Sequence, residues 1–203
     1  MKKKFKARKK EFNLLEEYRK SWKYVVESKK FIYVAIGIFF FFALMGYFIP
    51  VPEIIYKEIT ELIKEIIEKT QNLSQVGLIK FIILNNLQST LFGILFGIVF
   101  GIFPILSAIG NGYILGFVAS ISVESGGIST LWKILPHGVF ELPAIFISLG
   151  LGIKLGTFIF RKKKSESLRN LLVNSLRVFL LIIVPLLITA GIIEGTLIFL
   201  LAN

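Results

Sequence analysis

Runs without charge alternate along this chain with short basic or mixed-charge stretches, and the lengths of the runs set the first expectation. Residues 31–49 form nineteen positions without a charged side chain, stopped by Pro50 and Pro52. That length crosses a hydrocarbon core of about 30 Å as a helix. Over residues 53–70 the pattern changes: Ile54, Ile55, Ile59, Leu62, Ile63, Ile66 and Ile67 share one side of a helix. Alternating Glu and Lys, including Glu61 with Lys64 and Glu65 with Lys69, take the other side. This predicts an amphipathic helix on the membrane surface or against a partner helix rather than across the membrane.

Between residues 78 and 121 the position of the turn decides the number of spans. A break at Gly110 to Gly112 leaves one overlong helix and one of about ten residues, too short to span. A break at Gly101 to Pro104 gives two workable spans, 86–102 and 104–122, with Pro104 in a first helical turn where its missing N–H is harmless. Asn111 then lies inside the membrane. Residues 122–130, with Glu124, Gly126 and Gly127, read as a loop, and residues 131–135 dip back before Pro136 opens a fourth span over 136–160. Arg161, Lys162, Lys163 and Lys164 close that span, residues 165–177 read as an interfacial helix, and 178–201 as the fifth span, carrying Pro185 and Glu194. The expected fold is an all-α, polytopic integral membrane bundle of about five transmembrane helices with amphipathic interfacial helices. A basic N-terminal stretch, 1–30, precedes a membrane domain, 31–203.

Composition agrees with the pattern: 55% of the 203 residues are hydrophobic and the mean hydropathy is +0.76. The net charge of +11 would suit nucleic acid, but the Lys and Arg crowd into residues 2–30 and 161–177, beside apolar runs. They therefore read as a positive-inside signal, with the N-terminus cytoplasmic, the C-terminus extracytoplasmic and a multi-pass position in the cell membrane. The expected partners are the lipid bilayer, anionic lipid headgroups at the basic N-terminus, and other membrane proteins or further copies of the chain; nucleic acid is not one of them. With no cysteine, disulfides, thiolate metal sites and cysteine nucleophiles are excluded. No cofactor is expected, and the first span has no cleavage signal after it, so it reads as a retained anchor.

Small residues recur every four positions in three spans: Ser89, Gly93, Gly97 and Gly101; Ala108, Gly112, Gly116 and Ser120; Ala144, Ser148, Gly152 and Gly156. Such stripes let helix backbones approach closely in lipid. They suit packing among spans two to four, with homodimerisation as the other use.

Polar groups inside apolar spans are costly and mark candidate sites. His137 and Glu141 stand four apart on one helix face, Pro143 frees a backbone carbonyl beside them, and Glu194 lies at similar depth in the fifth span. Asn85 and Asn86 open the second span, and Asn111 sits deeper. The set reads either as a structural polar clasp or as a buried proton, cation or substrate site. His137, Glu141 and Glu194 as metal ligands form a weaker alternative, because the spacing is not HExxH and a second His would have to come from another subunit.

The block Leu135-Pro136-His137-Gly138 through Glu141-Leu142-Pro143-Ala144 resembles the stage II sporulation protein M family, as do Asn85-Asn86 before a Gly-rich span, Asn111-Gly112 with Gly116, and Gly126-Gly127. Gly150, Gly152, Gly156, Pro185 and Ile193-Glu194 continue the likeness, which covers residues 85–194. The resemblance implies a five-span plasma-membrane protein of a kind that, in spore formers, joins a complex with a peptidoglycan hydrolase and another membrane-anchored partner during engulfment. A non-enzymatic scaffold or complex subunit is the function expected, with a transporter or permease component using the His/Glu cluster as the alternative. An intramembrane hydrolase fits less well: Gly-x-Ser-x-Gly is missing, and Ser148 is eleven residues from His137.

Overall fold

The computed structural model describes residues 13–50, 52–133 and 135–202; the side chains of 132–140, 201 and 202 lie outside that set. All regular structure within it is helical. Among the described residues five stretches are long and apolar enough to cross a membrane.

A short basic helix, α1 (Leu14–Glu27), opens the described chain, capped by the Asn13 side chain on the N–H groups of Leu15 and Glu16. Of the basic stretch 1–30, residues 1–12 lie outside the described set. Only Ser28 separates α1 from α2 (Lys29–Phe48), the first span, which ends before Pro50. The amphipathic helix α3 (Glu53–Thr70) has the limits its periodicity sets. It turns Ile59 inward and stacks Tyr56 edge-on against Phe117, while Ile54, Leu62, Ile66 and Ile67 stay more than half exposed.

The second span differs from expectation in its start. Its helix, α4 (Gln75–Leu95), begins at a Ser74 cap and continues as a 3-10 turn to Ile98. The apolar run before Asn85 therefore belongs to the span, and the Asn pair moves from its mouth to its middle. The turn after it falls where Gly101 and Pro104 predict: Phe100 and Gly101 both take left-handed φ, +55° and +71°. Helix α5 (Ile102–Gly126) follows. A 3-10 segment, Ile128–Lys133, folds back on α5, with the Thr130 hydroxyl donating to the Ser122 carbonyl at 2.8 Å.

Helix α6 (Leu135–Gly156), extended by a 3-10 turn to Phe160, is the central element and touches α2, α4, α5 and α8. In its most apolar stretch 56% of residues are buried, against 22–39% in the other spans, so α6 is the axis of the bundle.

The basic interfacial helix and the fifth span, read as separate pieces, form one continuous helix. Helix α7 (Lys164–Val178) passes through a π-helical segment, Phe179–Ile183, into α8 (Val184–Ala202). No glycine falls between Lys164 and Ala190, and the widened π turn sits directly before Pro185, whose ring would otherwise press on the preceding turn. α7 packs against α1 at the basic end of the bundle.

Glycines set how closely the helices approach. A Cβ on Gly97 or Gly152 would collide with the backbone of the other helix, and Gly156 meets Gly101 in the same way, so α4 and α6 touch backbone to backbone. Gly93 lies against Ser148. Gly112 and Gly116 meet the carbonyls of Phe39 and Ala43, so the stripe of the third span packs on the first span rather than on spans two and four. Gly191 and Gly195 of α8, a spacing the three stripes do not include, seat that helix on Ile83 and Ile79 of α4.

Candidate functional site

Where α4, α5 and α6 meet, they border a partly open polar cavity of about 190 Å³. Asn85, Asn86, Ser89 and Thr90 enter from α4, Ser107 and Asn111 from α5, and Glu141 and Ser148 from α6, over a floor of Ile145 and Leu149. Asn85 stands ten residues after Gln75, so the cavity lies about 15 Å down the helix, in the middle of the spans. Four residues picked out by their polarity in apolar sequence, Asn85, Asn86, Asn111 and Glu141, thus share one space.

Hydrogen bonds fix the chemistry of the lining. The Ser148 hydroxyl donates to the Thr90 carbonyl on the neighbouring helix at 2.5 Å, and the Thr90 hydroxyl donates to the Asn86 carbonyl at 2.7 Å. The Asn111 amide nitrogen donates to the Ser107 carbonyl at 2.8 Å and to the Ser107 hydroxyl at 3.1 Å. A backbone carbonyl only accepts, so these protons are committed to the helices. Thr90, Ser148 and Asn111 therefore offer oxygen lone pairs to the cavity, next to the Glu141 carboxylate.

Glu194 does not line this cavity. The packing of Gly191 on Ile83 and Gly195 on Ile79 sets it level with the start of α4, nearer the end of the bundle than Asn86, with its Oε2 atom buried. His137 lies in the first turns of α6; its side chain, and so its pairing with Glu141 or Glu194, is outside the described residues. Among the described residues no group of three or more His, Cys, Asp or Glu side chains is placed to hold a metal ion.

A second polar centre escaped the sequence reading. Lys154, 7% exposed, is the one charged residue of α6 after Glu141. Its ammonium donates to the Ser28 hydroxyl at 2.8 Å and sits 3.8 Å from the centre of the Tyr24 ring. The Ser28 hydroxyl passes the chain on to the Tyr24 carbonyl. Burial pushes the Tyr24 hydroxyl above its ordinary range, opposed by the Ser175 hydroxyl beside it. Together these contacts latch α1 onto the basic end of α6. A lone Lys in a helix otherwise uncharged from Leu142 to Phe160 was the available signal.

α1 is held on its other side by α7, where Arg177 Nε lies 2.7 Å from Glu17 Oε2. The hydrogen bond from Lys20, and then the Arg177 charge, hold the Glu17 carboxyl below its usual range.

Comparison with known proteins agrees with the resemblance. No solved structure matches the chain. An uncharacterized protein of Methanocaldococcus jannaschii is 35% identical over 109 residues, covering 50% of this chain and 49% of that one. The chain thus spans about half the length of the curated relative it matches. The family model for stage II sporulation protein M matches residues 35–197, from the first span to near the end of α8 and including every residue of the cavity. The chain belongs to the stage II sporulation protein M family.

Proposed function

We propose that this chain is a non-enzymatic scaffold or subunit of a membrane complex, with α1 and α7 on the cytoplasmic side and α3 and the C-terminus on the other. The orientation rests on the Lys and Arg that cluster at the α1 and α7 end. The observation that carries the reading is α3: an apolar stripe on an 18-residue helix that the bundle leaves exposed along most of its length. Its partner is a helix of another protein, apolar with Lys or Arg at its flanks. Charge selects this occupant, because five Glu against three Lys on α3 repel both anionic headgroups and a second α3. At the opposite end α1 turns Leu15, Tyr18, Trp22 and Val26 outward beside Arg19 and Lys23, a surface suited to anionic lipid.

Affinity purification from native membranes tests this, with the wild type beside a Leu62→Glu, Ile66→Glu variant. A stoichiometric partner that cross-links to α3 and is lost in the variant is expected. A wild-type chain that emerges alone, or a variant that keeps the same partner, overturns the reading.

A second reading, a transporter or permease component, is favoured by the polar cavity at mid-span. It requires an ion or solute flux in proteoliposomes that Glu141→Gln abolishes; unchanged flux in a folded variant makes the cavity structural.

A further inference from the structure

The rim of the cavity continues onto the outside of the bundle. Asn85, Gln88 and Ser89 on α4 and Asn111 on α5 are all exposed. Ser89 comes nine residues before Ile98 and Asn111 nine residues after Ile102, the two ends of the connecting turn. With equal rise along both helices they stand at one depth, near the middle of the 24-residue Gln75–Ile98 span. The side chains around them, Leu84, Phe92, Phe103 and Leu106, are exposed and apolar, as lipid requires. A belt of three amides and a hydroxyl in hydrocarbon has no water to bond to, and such groups bond across helices instead.

We infer that this belt is an intramembrane interface with a second copy of the chain, and that the second copy closes the side of the cavity between α4 and α5. Three features select a like copy. The Asn85 and Gln88 amides carry donor and acceptor together, and Asn111, whose N–H groups bond Ser107, offers its oxygen, so one copy supplies both donors and acceptors to the other. The belt carries no charge, so two copies do not repel. A two-fold axis along the membrane normal joins equal depths, and a belt that spans about one helical turn meets itself under that operation. The glycine stripes that ordinarily dimerise helices are already used inside the bundle, which leaves the amides as the adhesive surface. The inference goes beyond the subunit reading: surface, partner and chemistry all differ from those at α3, and either can fail without the other.

The chain has no cysteine, so single cysteines report contacts without background. Ser89→Cys, and Phe41→Cys as a control on the exposed flank of α2, are oxidised in native membranes and run without reductant. Ser89→Cys is expected to give a product of twice the 23.0 kDa chain, containing both tags when two tagged copies are co-expressed, at about ten-fold the yield of the control. Equal yields at the two positions overturn the inference, and so does a product holding one tag and a different protein. The triple variant Asn85→Leu, Gln88→Leu, Asn111→Leu gives an independent reading. It should keep its helix content while its dimer dissociation constant in detergent rises roughly ten-fold or more. An unchanged dissociation constant also overturns the inference.

Discussion

Helix α4 meets its two neighbours in opposite ways. Toward α6 it presents Gly93 and Gly97, and the backbones touch at Gly97 and Gly152 with no room for anything between them. Toward α5 it presents Asn85, Asn86 and Ser89, and the helices stand apart around a polar cavity. The same helix therefore seals one seam and opens the other, and the size and polarity of four or five side chains decide which. Glycine permits dispersion contact over a continuous surface, whereas an amide needs a partner and space to reach it. A similar division separates the sealed α2 and α5 seam, built on Gly112 and Gly116, from the outward belt at Gln88 and Asn111.

The comparison breaks most severely if the sealed seam is opened. Gly97→Leu or Gly112→Leu forces a side chain into a facing backbone carbonyl, at a cost of about 3 kcal/mol. Little folded protein should be recovered, as measured by the monodisperse fraction after detergent extraction. A Leu at Gly110, where a Cβ meets nothing within 4 Å, should be tolerated in the same assay.

Lys154→Met tests the basic end. It removes the hydrogen bond to Ser28 and the contact with the Tyr24 ring, together worth about 2 kcal/mol. The bundle should stay folded while α1 loosens, seen as faster tryptic cleavage at Lys20 and Lys23. Unchanged cleavage would show that α7 alone holds α1.

Ser148→Ala affects the boundary between the two seams. It deletes the bond to the Thr90 carbonyl, about 1 kcal/mol, and should lower the melting temperature slightly while leaving the glycine contacts intact. A melting point equal to the wild type would show that the carbonyl finds another donor.

The smallest effect is electrostatic and confined to the surface of α1. The Glu17 pKa is depressed by Lys20 and then Arg177, so the attraction between α1 and α7 is full above the ordinary carboxylate value of about 4.3. It fades as pH falls through the lower folded value. Hydrogen-exchange protection over α1, taken relative to the intrinsic rate at each pH, should fall below about pH 4, and Glu17→Gln should remove that fall.

Most of the architecture was legible in the chain. The runs of 31–49 and 136–160, the amphipathic period of α3 and the turn at Gly101 to Pro104 are one-dimensional signals, because lipid demands length and apolarity within a single segment. The starts of polar-bordered helices were harder. Residues 75–86 include Gln75, Lys80 and the Asn pair, and their place in α4 follows from packing on α8 through Gly191 and Gly195. The joining of α7 to α8 depended on a π segment ahead of Pro185, which no local propensity announces.

The site divides in the same way. Sequence alone singled out Asn85, Asn86, Asn111 and Glu141, since a polar group in an apolar run is conspicuous without any knowledge of neighbours. Which of them share a cavity, and that Glu194 stands elsewhere, was decided by helix register, set by glycines on separate segments. Lys154 makes the point most simply: its charge could be read in the chain, but its partners Ser28 and Tyr24 lie more than a hundred residues away. The sequence determined which segments enter the membrane, because that depends on each segment's own transfer from water. Tertiary structure decided which polar groups meet, because that depends on how closely the backbones of different segments can approach.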